Sequence, residues 1–325
     1  MDSRRESFPV MPISQPAAGG RLLLSLVVFF SLCGCGRTSI PWLTPRTQSI
    51  RREYRVALPV TARTLVLNVS DCDVDIRSTG GREVAGSLST LVPQGPTGDP
   101  ARSQLDALSL QWRPRGSLMV LEFGGRELGS SARSTRLTVF APSDLSLEVR
   151  GDRIPRLQCS GRTAPTTIRV QRGSLNIADQ RGDLDVSLAS GDLSVSTVEA
   201  PRGTVKLDVA SGSIDLFVVS AAQLRATLTT GNMLVGLDSP PGTAMLEVTH
   251  GDLDLSVPSI RSGMLLDLKS DERQIDPYGL DLPDLPTPTG RRPFIAAWRR
   301  QLGAGTSQVT AHAGGRITVV SNQSP

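Results

Sequence analysis

Apolar and polar residues alternate along most of the chain downstream of residue 145. Leu184, Val186 and Leu188 are separated by Asp185 and Ser187, and the same spacing recurs in later segments. These later runs contain Val205, Leu207 and Val209, then Leu224, Ala226 and Leu228, then Ala244, Leu246 and Val248. Successive side chains of a β-strand point to opposite faces, so this pattern predicts strands with one apolar face and one face in water.

The alternating runs belong to an internal repeat of about twenty residues, which is clearest at the turns. Four turns share one pattern of a small or polar residue, glycine, a small polar residue and an aliphatic residue: Ser-Gly-Asp-Leu at 190–193, Ser-Gly-Ser-Ile at 211–214, Thr-Gly-Asn-Met at 230–233 and His-Gly-Asp-Leu at 250–253. The candidate turn glycines are Gly173, Gly182, Gly191, Gly212, Gly231 and Gly251, with Gly203 at a further turn. Two strands per repeat of this length predict a β-solenoid.

The physics of such a repeat explains its turn residues. One rung buries too few aliphatic side chains to offset the entropy of ordering twenty residues, so rungs must stack and share an interior. A two-residue corner often requires positive φ, which glycine adopts without steric cost. Aspartate, asparagine or serine beside the glycine can bond exposed amides, so we assign the acidic turn residues to turn chemistry.

Shorter alternating runs precede the regular repeats. We predict strands around Leu65, Leu67 and Val69; Val74 and Ile76; Leu118, Val120 and Glu122; and Leu137 and Val139. Beyond Leu266 and Leu268 the period breaks into a proline-rich segment at 277–304, with a short helix predicted at 293–302. Residues 310–317 resume the repeat motif, so we predict that they form the last rung of the solenoid. Phe294 and Trp298 are expected to cap the open apolar end, with a partner-binding loop as the alternative.

Composition supports an all-β class. Aromatic residues make up only 4% of the chain, whereas it contains 31 glycines and 23 prolines, which favours short strands and turns over long helices. The net charge of +4 is almost entirely due to arginine, because Lys206 and Lys269 are the only lysines. Basic and acidic residues are otherwise interspersed, so we expect no nucleic-acid partner.

The amino terminus resembles a bacterial lipoprotein signal. Residues 22–32 form an apolar run of 11 residues, which is too short to span a bilayer but suits a signal peptide. Leu-Cys-Gly-Cys at 32–35 is similar to a lipobox, which implies cleavage before Cys35 and a lipid, such as palmitate, on Cys35. An uncleaved anchor and a buried strand are the alternatives, twin-arginine export at Arg4 and Arg5 is a weaker fit, and Met11 competes with Met1 as the start.

The signal divides the chain into parts. We assign a signal peptide to 1–34, a lipid-anchored tether to 35–53, an N-terminal β-strand part of the solenoid to 54–144, and regular repeats to 145–325 with the loop insertion at 277–304. Five arginines follow the lipid site and suit either anionic headgroups or a solvated linker: Arg37, Arg46, Arg51, Arg52 and Arg55. Because Gly36 is not the aspartate that retains some lipoproteins on the inner membrane, we expect the outer membrane or cell surface.

Candidate chemistry is sparse. Only Cys72 and Cys159 remain after cleavage, and they either form a disulfide or are separate buried residues. His250 and His312 are the only histidines, and no zinc, phosphate-loop or serine-hydrolase motif is present. If Asp185, Asp215 and Asp254 stacked, they could bind calcium or act as a glycosidase pair. The calcium-binding nonapeptide is absent and Phe217 is nearly the only aromatic in the repeats, so we predict no catalytic site, metal or cofactor.

The repeat words carry a family resemblance. Together with Asp-Cys-Asp-Val-Asp-Ile at 71–76 and Gly-Gly-Arg-Ile-Thr-Val at 314–319, they resemble the bacterial adhesin-like β-strand-repeat family, a domain of unknown function in exported and membrane-anchored proteins. The resemblance covers roughly residues 60–320. It implies an all-β, single-stranded β-helix-like solenoid and brings no catalytic residues with it.

These observations predict a lipid-anchored cell-envelope protein that binds or scaffolds and is not an enzyme. Its expected partners are the membrane, through the lipid anchor, and a protein or glycan that the sequence does not identify. The alternatives are a polysaccharide-acting β-helix enzyme and an envelope sensor that regulates a membrane protein.

Overall fold

The computed structural model describes residues 47–93, 110–124, 134–258, 263–280 and 295–321, which all lie in one compact unit. Every strand or helix in these ranges is a β-strand. The strands are β1 (Thr47–Ala57), β2 (Thr64–Ser70), β3 (Asp73–Thr79), β4 (Glu83–Pro93), β5 (Leu110–Arg115), β6 (Leu118–Gly124), β7 (Ser134–Pro142), β8 (Ser146–Ser160), β9 (Thr166–Gln180), β10 (Leu184–Gly236), β11 (Thr243–His250), β12 (Leu253–Val257), β13 (Met264–Ser270), β14 (Ile275–Gly279), β15 (Ala297–Leu302), β16 (Ser307–Ala313) and β17 (Ile317–Ser321).

The central rungs stack in parallel, as the repeat predicts. β8 pairs with β9, β9 with β10, and β10 with β11 and β12, all parallel. Leu184 lies opposite Thr166, and Met233 lies opposite Leu253 at the twenty-residue spacing. The 53-residue strand β10 contains three successive rungs. The predicted all-β solenoid is therefore confirmed.

The aliphatic residues of the repeat form one shared interior. Leu184, Val186 and Leu188 are fully buried, as are Leu193 and Val195 after the corner. One continuous cluster of buried side chains extends from β2 to β17. The alternating partners of these residues face outward, so each strand has the two faces that the period of two predicted.

The rungs at both ends stack out of sequence order. At one end, β6 and β7 lie outermost on β2 and β3, which in turn pair with β8. At the other end, β16 and β17 lie between β11–β12 and β13–β14. The expectation that residues 310–317 form the last rung is therefore wrong. The chain doubles back along β13 as β15, and this reversal returns it to the inner side of β13.

Antiparallel strands cover the exposed edges of the solenoid. β5 pairs with β6, β4 with β7 and β1 with β4 at one end, and β15 pairs with β13 at the other. The predicted helix at 293–302 is wrong over Ala297–Leu302, because pairing with the free edge of β13 satisfies the backbone as a strand. Trp298 packs against the core as expected for a cap, whereas Phe294 lies outside the described residues.

Two details of the N-terminal part differ from the sequence analysis. β1 begins at Thr47, so residues 47–53 pair with β4 rather than forming tether only. In β6 the interior side chains are Met119, Leu121 and Phe123, whereas Leu118 is 37% exposed. The alternation was assigned in the wrong phase because Val120 is also buried, so the register with Leu65 and Leu67 decides which face is the core.

The rungs approach most closely at the corner glycines, which we define as Gly191, Gly212, Gly231 and Gly251. Their φ angles are 135°, 139°, 134° and 142°. A Cβ on Gly231 would lie 1.7 Å from the carbonyl oxygen of Gly212, and the other three corner glycines meet the preceding corner in the same way. Glycine is required here both by the positive φ and by the backbone of the neighbouring rung.

Replacing Gly231 with alanine should lower the free energy of unfolding by at least about 3 kcal/mol, because it combines a glycine-only conformation with a backbone clash. Gly116→Ala is the matched control: its φ is +62°, but nothing lies within 4 Å of the added Cβ. That variant should lose about 1 kcal/mol. Urea denaturation followed by circular dichroism measures both changes, and equal losses would contradict the close-contact explanation.

Candidate functional site

The two cysteines of the folded part are separate, buried thiols. Cys72 and Cys159 are both free, and Cys159 pairs in register with Ile76, four residues beyond Cys72. A strand rises about 3.3 Å per residue, so the two Cα atoms are too far apart for a disulfide. Burial raises the pKa of both thiols, that of Cys159 to about 12, and Asp73 adds to the effect at Cys72. The disulfide alternative is therefore corrected to the alternative of two buried residues.

The three aspartates that could have formed a carboxylate cluster do not come together. Asp185 precedes a corner glycine and pairs in register with Thr167. Asp215 and Asp254 follow their corners, and Leu234 is the register partner of Asp254. Asp185 therefore lies on a different strand row from the other two. In the described part of the chain, no group of three or more His, Cys, Asp or Glu side chains could hold a metal ion.

The polar residues beside the corner glycines bond neighbouring rungs. Ser213 Oγ donates to Asp192 Oδ1 at 2.8 Å, and the Asp252 amide donates to Asn232 Oδ1 at 3.3 Å. The Arg316 amide donates to Asp252 Oδ1 at 2.8 Å, which extends the ladder to β17. These contacts match the turn chemistry expected from the sequence.

The other predicted site residues have structural surroundings. Gly173 and Gly182 pack closely on Ile154 and Ala164 of the preceding rung. His250 is exposed at the end of β11, beside the corner glycine Gly251. His312 Nε2 lies 3.1 Å from Asp271 Oδ1, and this hydrogen bond lowers the pKa of that carboxyl.

Cys35 lies outside the described residues. None of the described residues forms a helix that is long and apolar enough to cross a bilayer.

A buried arginine, Arg162, holds the turn between β7 and β8. Its guanidinium donates to the carbonyl oxygens of Pro142, at 2.6 Å, and Leu145. Burial lowers the pKa of Arg162. This residue could not be singled out from the sequence, because one arginine among many carries no local signal of burial. Its guanidinium also donates to Ser78 Oγ at 3.5 Å, so Arg162 joins the turn to β3 and fixes the chain path into the regular rungs.

Charged side chains on the outward face pair along and between strands. Arg150 lies 2.6 Å from Glu148 on β8, and Lys206 lies 2.9 Å from Asp208 on β10. Arg169 of β9 lies 2.9 Å from Asp185 of β10, which links two rungs. Ion pairs thus form both along a strand and between neighbouring rungs on the outward face.

An open groove of about 630 Å³ interrupts the outward face near the N-terminal end, and we call it the β5 groove. It is lined by Asn68, Val69, Ser70, Gln111, Arg113, Glu122, Phe123, Arg150, Gly151 and Asp152. These residues belong to β2, β5, β6 and β8. The groove could not be predicted from the sequence, because it depends on β5 pairing with β6 and on rungs that stack out of chain order.

A family comparison identifies the fold. The family model of the Toastrack domain, DUF4097, matches residues 62–272, which is more than half of the chain. This protein belongs to the Toastrack family. The Toastrack domain is one of unknown function, and the match confirms the resemblance to the adhesin-like β-strand-repeat family.

Solved structures give distant matches to the Toastrack chain. A candidate adhesin from Bacteroides fragilis is 12% identical, with a TM-score of 0.40, 85% of this chain covered and 98% of that chain. A candidate cell-adhesion protein from Clostridium sporogenes is 9% identical, with a TM-score of 0.27 and coverage of 84% and 99%. A candidate lipid-binding protein from Parabacteroides distasonis is 12% identical, with a TM-score of 0.33 and coverage of 84% and 96%. No curated protein matches the sequence.

Brief alkylation of the native protein at neutral pH should leave Cys72 and Cys159 unmodified, because a raised pKa keeps both thiols protonated and burial blocks access. After unfolding, a second, isotope-labelled reagent should modify both, as measured by peptide mass spectrometry. Ser190→Cys, at an exposed corner position, is the reactive control. A disulfide-linked peptide containing both cysteines would contradict the structure.

Proposed function

We propose that this Toastrack protein is an exported, lipid-anchored cell-envelope protein whose solenoid is a binding or scaffolding module without a catalytic site. Its partners are the membrane, through the lipid, and a protein or glycan bound by the solenoid. The proposed location is the outer membrane or cell surface, since Gly36 follows the lipidated cysteine.

One observation carries the binding role: the outward side chains form long rows on parallel strands that pair from rung to rung. Ten rungs stack in the described ranges, and at about 4.8 Å per rung they extend for roughly 43 Å. The charges on the rows pair with each other, as in the contact between Arg169 and Asp185. Such a surface suits recognition of an extended partner by shape and hydrogen bonding.

The sequence around Cys35 supports the anchor. Eleven residues lie between Cys35 and Thr47, where β1 begins, and an extended chain over these twelve steps reaches about 40 Å. The tether therefore allows the solenoid to stand clear of the headgroups while remaining attached.

Cys35→Ser should release the protein from the membrane, because the thiol that would carry the lipid is removed. The measurement is fractionation of whole cells, combined with mass spectrometry of the mature amino terminus. Cys33→Ser is the matched control, since it changes a neighbouring cysteine within the signal and should stay membrane-bound and acylated. The anchor proposal fails if both variants fractionate with the membrane.

A polysaccharide panel tests the absence of catalysis. The purified protein should release neither reducing ends nor unsaturated products from any member. The product yield should also stay at background in three variants: Asp185→Asn, Asp215→Asn and Asp254→Asn. Product release that any of these substitutions abolishes would favour the β-helix enzyme instead.

A further inference from the structure

We propose that the β5 groove, together with an adjoining row of arginines, binds an acidic saccharide. This deepens the proposed function by naming the partner class of the binding module, and it rests on that function. The arginine row consists of Arg150, Arg153, Arg169 and Arg172, at the corner of β8 and β9.

The groove lies beside a break in the repeat. β8 has Ile154 in register with Gly173, at the position where the later rungs have a corner glycine, and its register with β9 shifts between Ile154 and Arg156. Gly151 and Asp152, which precede this position, line the groove. A Cβ on Gly151 would lie 2.1 Å from the carbonyl oxygen of Val69, so the two backbones are in contact at the floor. The strand β5, which pairs only along β6, contributes the other wall.

The lining of the groove suits hydroxyl groups. Asn68 offers an amide that both donates and accepts hydrogen bonds, and Glu122 and Asp152 contribute carboxylates. Gln111 offers its amide NH₂ group, because its Oε1 accepts a hydrogen bond from Arg113. Arg113 lies 3.6 Å from Glu122, so its guanidinium is held in the groove. Paired donors and acceptors of this kind match the adjacent hydroxyls of a sugar ring. The volume of about 630 Å³ accommodates a short saccharide.

The arginine row suits an acidic substituent. Arg150 pairs in register with Arg169, and Arg153 with Arg172, which places like charges on adjacent strands about 4.8 Å apart. Such an arrangement is unfavourable without an anion nearby. Glu148, Asp71 and Asp185 offset three of these arginines, whereas Arg172 has no ion-pair partner among the described residues. The corner position of Arg172 is Ser190, Ser211, Thr230 or His250 in later rungs.

The charge distribution of the whole solenoid favours an anion at this end. Residues 47–182 contain 19 basic and 13 acidic side chains, a net charge of +6. Residues 183–258 contain 3 basic and 10 acidic side chains, a net charge of −7. The positive potential is therefore concentrated on the half that contains the groove, and it would attract an acidic ligand there.

The lining also distinguishes a saccharide from an anionic membrane surface. A flat layer of phosphates would meet Glu122 and Asp152 at the same face as the arginines, and these carboxylates would repel it. A saccharide that carries isolated carboxylate or sulfate groups can place its acid at the arginine row and its hydroxyls in the groove.

Binding of the full-length protein, in detergent micelles, to polygalacturonate, alginate and hyaluronan tests the proposal, with dextran and pullulan as neutral saccharides. We expect affinity electrophoresis to show binding to at least one acidic polymer that is at least tenfold tighter than to either neutral one. Arg150→Gln and Arg172→Gln should each weaken binding by roughly tenfold, the usual scale for a hydrogen bond to a charged group. Gln111→Ala should weaken it without changing the preference for the acidic polymer.

Arg225→Gln is the matched control, because this exposed arginine lies on the outward face of β10, opposite Met245 and away from the groove. It should change the affinity by less than twofold. The proposal is overturned by equal affinity for acidic and neutral polymers, by an equal loss in the control variant, or by binding to phosphatidylglycerol vesicles with none to the acidic polymers. Fractionation of the cysteine variants tests the anchor independently of these outcomes.

Discussion

Contact between the backbones of neighbouring rungs is the constraint on which the rest of this structure depends. Each rung can satisfy its amides and carbonyls only through the rung on either side, at the fixed separation of paired strands. At the corners this separation leaves no room for a Cβ, as the 1.7 Å approach to Gly212 shows for Gly231. Backbone contact at the corners therefore sets the length of each repeat. The inward side chains are aliphatic because only the outward side chains can reach water.

The same constraint leaves unpaired backbone groups at the two ends of the stack. A terminal rung presents a row of unpaired backbone groups to which another chain could add. This protein places its own antiparallel strands on these edges: β4 and β5 pair with the outermost rung at one end, with β1 beside β4, and β15 pairs with β13 at the other. The altered rung order accompanies this arrangement. At the β13 end, for example, the chain forms the outer rung first, runs back along it as β15, and then forms β16 on its inner side.

The features that were predictable from sequence are those set by local chemistry. Alternation around Leu184 and the turn words at Gly191 and Gly231 specify strands, corners and period, because each depends on a few adjacent residues. Features that depend on distant pairing were not predictable. Either Leu118 or Met119 could face the core on sequence alone, and the register of β6 with β2 determines that it is Met119. The sequence of β15 has no strand pattern, and this segment becomes a strand by pairing with the free edge of β13. Arg162 and the β5 groove were missed for the same reason.

The place where the repeat departs from its own rule is also where the surface becomes concave. The successive rungs from β9 to β12 turn at Gly173 or at a corner glycine, and their outward rows differ in the side chains they carry. β8 interrupts this regularity with Ile154 at the corner position and a register shift before Arg156, and beside it the backbone of Gly151 lies in close contact with Val69. Departures from local consistency in an otherwise regular fold are expected where function requires them. A groove with fixed charged residues at such a break is better explained by a ligand than by stability, because a glycine corner would have stacked equally well.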